Sequence, residues 1–192
     1  MEEPVLNWQA INNNPKLNLL DEFYKNPTRW AYTFQMKAFQ SRLESLQLFL
    51  KQNQSINNQI ILSERCIFSD KEIFAKNSKD LGFLNDIEWA LYQENFNFMI
   101  KQLKLFPFQS IGHIYLQTQP ELAYQRIKKR NRTEENTISI DYLESLYNRH
   151  ESWLNKNKCQ NLLIIDASQD FLNNQEAFDK SCMQIDKFIK EI

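Results

Sequence analysis

Residues 111–130 read Ile-Gly-His-Ile-Tyr-Leu-Gln-Thr-Gln-Pro-Glu-Leu-Ala-Tyr-Gln-Arg-Ile-Lys-Lys-Arg. Ile111 to Leu116 is a short apolar run, the pattern of a strand buried on both faces. Pro120 then opens a basic helix over 119–130, where proline suits the first turn. The same alternation recurs on either side. Asn161-Leu162-Leu163-Ile164-Ile165 reads as another buried strand, ended by Asp166 and followed by a helix over 174–191. Gln59-Ile60-Ile61-Leu62-Ser63 reads as the first strand, ended by Glu64-Arg65. Helical stretches follow at 68–78 and 85–105, the second carrying Ile87, Leu91 and Phe98 and closed by Pro107. Upstream, Trp30, Phe34, Ala38, Ser41, Leu46 and Phe49 recur near i, i+4 in a helix over 28–53. A short helix over 16–26 places Leu17, Leu20 and Phe23 on one face, after the turn signal Asn12-Asn13-Asn14-Pro15. Residues 131–138 are a polar loop, and Ser139 is a possible N-cap for a helix over 139–157. Apolar strands alternating with long helices predict an α/β fold with a parallel sheet flanked by helices. No repeat or linker divides the 192 residues, so one domain is expected.

Composition narrows the function. A net charge of −1 gives no electrostatic footprint for nucleic acid or an anionic membrane, so a polyanionic ligand needs a local basic cluster. No run of 18 apolar residues exists to span a bilayer. Cys66, Cys159 and Cys182 are odd in number and lack metal-ligand spacing, which predicts reduced thiols in a cytoplasmic setting. The chain has only two glycines, Gly82 and Gly112, and no GxxxxGK[ST], GxGxxG, HExxH or CxxC sequence.

Ligands of parallel sheets sit at the carboxyl ends of the strands. Glu64-Arg65 stands at one such end. There a carboxylate can hold Mg2+ or its waters and an arginine can contact phosphate, but an ordinary ion pair fits equally well. Arg126, Lys128, Lys129, Arg130 and Arg132 fall within seven residues, with Arg126 and Arg130 on one helix face. This is either a phosphate-closing lid or a solvated helix end favoured by the helix dipole. Glu3 and Asp70 taken singly read as a surface acid or a cap. Trp8, Phe34 and Phe74 read as core, and His113 and His150 as structural.

Several pieces nevertheless occur in one order: Glu3-Pro4-Val5 and Trp8; Tyr24-Lys25-Asn26-Pro27-Thr28-Arg29-Trp30 and Phe34-Gln35; Glu64-Arg65-Cys66, Ser69-Asp70 and Ile73-Phe74. They continue as Glu88-Trp89 and Tyr92, Arg126, Arg130-Asn131-Arg132, Glu134-Glu135, Tyr142-Leu143, His150-Glu151-Ser152-Trp153 and Asp170-Phe171. Over nearly its whole length the chain resembles the deoxynucleoside kinases, within the deoxycytidine, deoxyguanosine and deoxyadenosine kinase group. The resemblance implies a P-loop kinase-type, three-layer α/β fold and transfer of the γ-phosphate of ATP to a deoxynucleoside 5′-hydroxyl. It implies that Glu3 is the catalytic carboxylate, that Arg65 lies near the transferring phosphoryl, and that Glu64 is linked to Mg2+, with Cys66 where the family motif has serine. Tyr24 and Glu135 match the pair that bonds the 3′-hydroxyl. Gln35 and Asp70 match the readers of the base edge, and Arg42 matches their basic partner. Phe74 matches the stacking aromatic, with Trp8 and Phe34 lining the pocket. Arg126, Arg130 and Arg132, in a lid at about 126–138, match the phosphate-neutralising arginines, and Asp170-Phe171 the loop that cups adenine. A homodimer through the helices at 28–53 and 85–105 is implied as well.

One departure is plain. In the family a strand, a Gly-rich phosphate loop and a helix precede the Glu-Pro-Val segment, which here starts at residue 3. The expectation is a chain that lacks the first strand and phosphate loop, and that folds poorly alone or needs a partner to fill the gap. The alternative function on this reading is a non-catalytic nucleoside-binding or dimerisation subunit.

Overall fold

The computed structural model describes residues 1–53, 60–103, 111–155 and 161–192. The chain divides into two compact units, one of Met1–Phe108 with Thr133–Thr137, the other of Gln109–Arg132 with Ile138–Ile192.

The first unit is built on α3 (Pro27–Gln52). Asn26 caps it by accepting the Arg29 amide at 3.2 Å, and Pro27 occupies its first turn. Ala31, Phe34, Ala38, Leu43 and Leu46 form its buried stripe, and buried Gln35, Ser41 and Arg42 interrupt it with polar groups. At one end α1 (Leu6–Gln9) and α2 (Leu19–Lys25) pack on this stripe through Trp8, Leu20 and Phe23. Phe23 stacks on Phe34 at 4.6 Å between ring centroids, and Trp8 meets the same ring edge-on at 5.5 Å. Each such aromatic burial contributes about 2 kcal/mol. At the other end Phe39, Leu43 and Leu46 pack with Ile67 and Phe96. Those two come from α4 (Ile67–Ser69) and from α6 (Asp86–Leu103). Between them the chain stays helical through a π-helical segment, Asp70–Ala75, and then α5 (Lys76–Asp80). The Asn12-Asn13 turn is present, with both residues at left-handed φ of 54° and 59°, a region asparagine tolerates.

Two expectations fail in this unit. Residues 60–63 form no strand; Gln59 lies outside the described residues. No strand lies beside them among the described residues. Instead the Met1 ammonium donates to the Leu62 carbonyl at 2.5 Å and the Glu64 amide donates to the Met1 carbonyl at 2.9 Å. Ile60 and Leu62 remain about half exposed, so an apolar run alone did not make a ladder. Leu17 is exposed because α2 starts only after its cap, Asn18. Ile87, Leu91 and Phe98 are also exposed, because α6 turns Tyr92 and Phe96 inward instead.

In the second unit β1 (His113–Gln117) and β2 (Leu162–Asp166) form a parallel pair, in register from His113 opposite Leu162 to Gln117 opposite Asp166. Among the described residues this is the whole sheet. Between the strands run α7 (Pro120–Arg130), ended by Asn131 at φ 53°, and α8 (Ile140–Trp153), capped by Ser139. α9 (Gln175–Glu191), capped by Asn174, packs on β2. Gly112 precedes β1, where a Cβ would meet the Phe188 ring at 3.0 Å and Asn161 at 3.2 Å. Tyr115 stacks on His150 at 5.5 Å, and His113 meets Trp153 edge-on at 5.0 Å. Both histidines are ring-packed structural residues, as the sequence suggested. The polar loop expected at 131–138 contains a 3-10 turn, Thr133–Thr137, that buries Glu134 and Glu135 in the first unit. Among the described residues no helix is long and apolar enough to cross a membrane.

Candidate functional site

Arg42 lies in the middle of α3 and is 5% exposed. A guanidinium buried there requires counter-charges, since an unpaired buried cation costs several kcal/mol. Its Nε donates to both Asp70 carboxylate oxygens at 2.9 and 2.7 Å. Nη1 donates to the Glu64 carbonyl at 3.1 Å, and Nη2 donates to Glu3 Oε1. The same Glu3 oxygen accepts Arg65 Nη1 at 3.0 Å. Two carboxylates therefore meet two guanidiniums, and the cluster is charge-balanced. Trp8 lines it with its ring centroid 5.5 Å from the Arg42 guanidinium, held there by its indole N–H donating to Ser41 Oγ at 2.9 Å.

Burial drives the Asp70 carboxyl up, and the Arg42 guanidinium opposes this only in part, leaving its pKa at about 6. For Arg42, burial works against the charge, but Asp70 and Glu3 outweigh it and hold the pKa above its ordinary value.

Arg65 has a left-handed φ of 58°, a conformation that costs a non-glycine residue about 1–2 kcal/mol. That turn carries its guanidinium over the Phe74 ring, 4.4 Å from the centroid, and onto Glu3. Asp70 and Phe74 stand four residues apart across the π-helical segment. Cys66 supplies the cap for this stretch. Its thiol accepts the Ser69 amide at 3.4 Å while Ser69 Oγ accepts the Cys66 amide at 2.9 Å. Gln35 is 2% exposed.

A second group lies in the same unit. Tyr24 is on α2, and the 133–137 turn packs against that helix. Glu135 is buried, and Thr137 Oγ1 donates to the Tyr24 carbonyl at 3.4 Å. Its neighbour Glu134 was not singled out by sequence. Glu134 Oε1 accepts from Gln9 Nε2 at 2.9 Å and Asn18 Nδ2 at 2.8 Å, while Oε2 accepts Thr133 Oγ1 at 3.2 Å.

The first unit thus brings together Glu3, Arg42, Arg65, Asp70 and Phe74, with Trp8, Phe34 and Gln35 around the same stretch of α3. Glu64 joins only through its backbone; its side chain is exposed. In the second unit, Arg126 donates to the carbonyls of Ser168 and Gln169 at 3.2 and 3.1 Å, so α7 is braced against that loop. Asp170 accepts Asn173 Nδ2 at 2.7 Å and the Leu172 amide at 3.1 Å, which hold its carboxyl below the usual range. Lys129 stands 3.9 Å from Asp170, and Phe171 is half-buried beside it. Arg130 is exposed and Arg132 half-buried, and both are engaged. Among the described residues no cluster of three acids, histidines or cysteines forms a metal cage.

These arrangements can be set beside known proteins. Residues 1–190 match the sequence profile of the family described as deoxynucleoside kinase. A probable deoxycytidine kinase of fowlpox virus (strain NVSL) is 38% identical over 196 residues, covering 100% of this chain and 78% of the viral protein. The mitochondrial deoxyguanosine kinase of Xenopus laevis is 34% identical over 211 residues, 97% of this chain and 78% of its own length. Human deoxycytidine kinase is 35% identical over 173 residues, 83% of this chain and 65% of the human protein. A profile match over almost every residue, with relatives above 30% identity, establishes the P-loop kinase type of α/β fold and shows that the chain belongs to the deoxynucleoside kinase family of phosphotransferases.

Proposed function

We propose that the first unit binds a 2′-deoxynucleoside and that Glu3 prepares its 5′-hydroxyl for phosphoryl transfer from ATP. The observation that carries this reading is the balanced cluster of Arg42 with Asp70 and Glu3, with Arg65 spanning Glu3 and Phe74. Glu3 accepts the hydroxyl proton and aims the oxygen in line with the phosphoryl group. Arg65 supports the charge that develops there. Asp70 and Gln35 read the base edge, with Arg42 holding Asp70 in place, and Phe74, Trp8 and Phe34 supply aromatic walls. Gln35 supports this role by its place on α3 next to Phe34 and seven residues before Arg42, buried at 2% exposure. Tyr24 and Glu135 bond the 3′-hydroxyl. An ionised carboxylate facing an exocyclic amine suits cytosine or adenine.

ATP is the donor in this family, and we assign Arg126, Arg130 and Arg132 of the lid at about 126–138 to its phosphates and Asp170 with Phe171 to its adenine. Mg2+ typically takes one or two protein carboxylates and fills its shell with phosphate oxygens and water. The exposed Glu64 carboxylate fits that modest demand and would hold the ion directly or through water. The bound ion supplies charge neutralisation between the phosphates. A homodimer is supported by Leu48 on α3 and by Ile87, Leu91 and Phe98 on α6, all apolar and exposed.

Two measurements test the reading. Calorimetry on residues 1–192 should detect deoxycytidine, deoxyadenosine or deoxyguanosine more strongly than the matching ribonucleoside. Labelled-phosphate transfer from ATP, with any in-frame sequence upstream of Met1 included, should be abolished by Glu3→Gln. No binding and no labelling of any deoxynucleoside would sink the proposal.

A further inference from the structure

We infer that Glu134 is a positioning residue that sets the spacing of Tyr24 and Glu135, and through them the recognition of a 3′-hydroxyl. The inference rests on the nucleoside reading of the first unit.

Glu134 is 8% exposed. No cation lies within ion-pair distance of it among the described residues; neutral donors satisfy it instead. Burial acts to raise its pKa, but the bonds from Asn18, Gln9 and Thr133 outweigh burial and hold the carboxyl below its ordinary value. Two of the donors come from far away in sequence, 125 and 116 positions off, and both reach the same oxygen. Gln9 ends α1. Asn18 has two tasks: its Nδ2 donates to Glu134, and its Oδ1 caps α2 by accepting the Asp21 amide at 3.0 Å. Tyr24 rides on the helix so capped, and Glu135 is the next residue after the clamped carboxylate in the same 3-10 turn. One carboxylate thereby fixes both members of the pair, with Thr137 bonding the Tyr24 carbonyl as a second, longer tie. Both glutamates are buried, at 8% and 5% exposure, and the donors named above hold Glu134.

The test is calorimetry on the full 192-residue chain with deoxycytidine, deoxyadenosine and deoxyguanosine, each against its 2′,3′-dideoxy counterpart. In the wild type, the 3′-hydroxyl should strengthen binding. Glu134→Ala should shrink that preference by about tenfold, the size of one well-placed hydrogen bond to a charged group, while moving dideoxynucleoside affinity by less than about threefold. Glu134→Gln keeps one acceptor oxygen and should fall between them. Amide hydrogen exchange without nucleoside provides a second readout. Glu134→Ala should speed exchange at 133–137 and at the first turn of α2, and leave the centre of α3 unchanged. Equal weakening of both nucleoside types, an unchanged preference, or unchanged exchange at 133–137 overturns the inference alone. A wild-type chain that binds none of these nucleosides overturns the nucleoside reading, and this inference with it.

Discussion

At the residue scale, Asp70 and Tyr92 make opposite demands on the same unit. Asp70 carries a charge where water is excluded, and its pKa of about 6 lies above that of an unfolded aspartate. The folded state therefore holds the proton more tightly. Asp70's contribution to stability is full below the unfolded value and declines as pH rises through about 6. Between pH 4 and pH 7 the wild type should lose on the order of 2 kcal/mol relative to Asp70→Asn, read as the difference in urea-unfolding free energy at each pH. A difference that stays flat with pH would remove Asp70 as the titrating group. Nucleoside binding that needs the ionised carboxylate should weaken as pH drops through the same range. Tyr92 is 0% exposed, and its hydroxyl has no partner among the described residues. Removing a buried unsatisfied hydroxyl is stabilising, so Tyr92→Phe should raise stability by about 1 kcal/mol in the same unfolding assay. A loss of stability would show that the hydroxyl does have a partner.

At the element scale, the long helices were legible because each carries its own start signal: Asn26-Pro27, Pro120 and Ser139 stand where α3, α7 and α8 begin. The strands were legible only where a ladder exists. Ile60 to Ser63 has the composition of a strand, but a strand is a property of two segments, and composition describes one. The apolar faces of α6 were likewise ambiguous: Ile87, Leu91 and Phe98 recur as regularly as Tyr92 and Phe96, and only packing chooses between them. The π-helical stretch Asp70–Ala75 left no signal at all in the spacing. Close packing adds a prediction for β1. Gly112→Ala places a methyl against Phe188 and the Asn161 backbone, and should cost about 1–3 kcal/mol in thermal or urea unfolding, with α9 amides losing exchange protection first. No change would mean that α9 yields at no cost.

At the scale of the whole molecule, the site was readable as an ordered set of motifs but not as a derivation from spacing. Glu3, Arg42 and Asp70 lie 39 and 28 positions apart, and nothing local says that one buried guanidinium joins them. The family resemblance implied the pairing of Arg42 with Asp70, but not the bond from Arg42 to Glu3. Glu134 escaped because its neighbour has the same side chain and the motif assigns only Glu135. The proposed dimer belongs to this scale too. Leu91→Glu combined with Phe98→Glu places charge on the exposed stripe of α6 and should convert a dimer to a monomer in sedimentation velocity, with helical content retained. An unchanged sedimentation coefficient would move the interface elsewhere.

The path of the chain between its two units has a consequence for how it can be divided. The backbone passes out of the first unit after Phe108, comes back for Thr133–Thr137, and leaves again. No single cut yields two self-sufficient pieces, since any fragment ending before residue 133 forfeits the two acids that close the tyrosine side of the first unit. Split-protein reporters, limited proteolysis and nascent chains on a ribosome should all meet the same rule: the first unit, though mostly encoded early, is finished late.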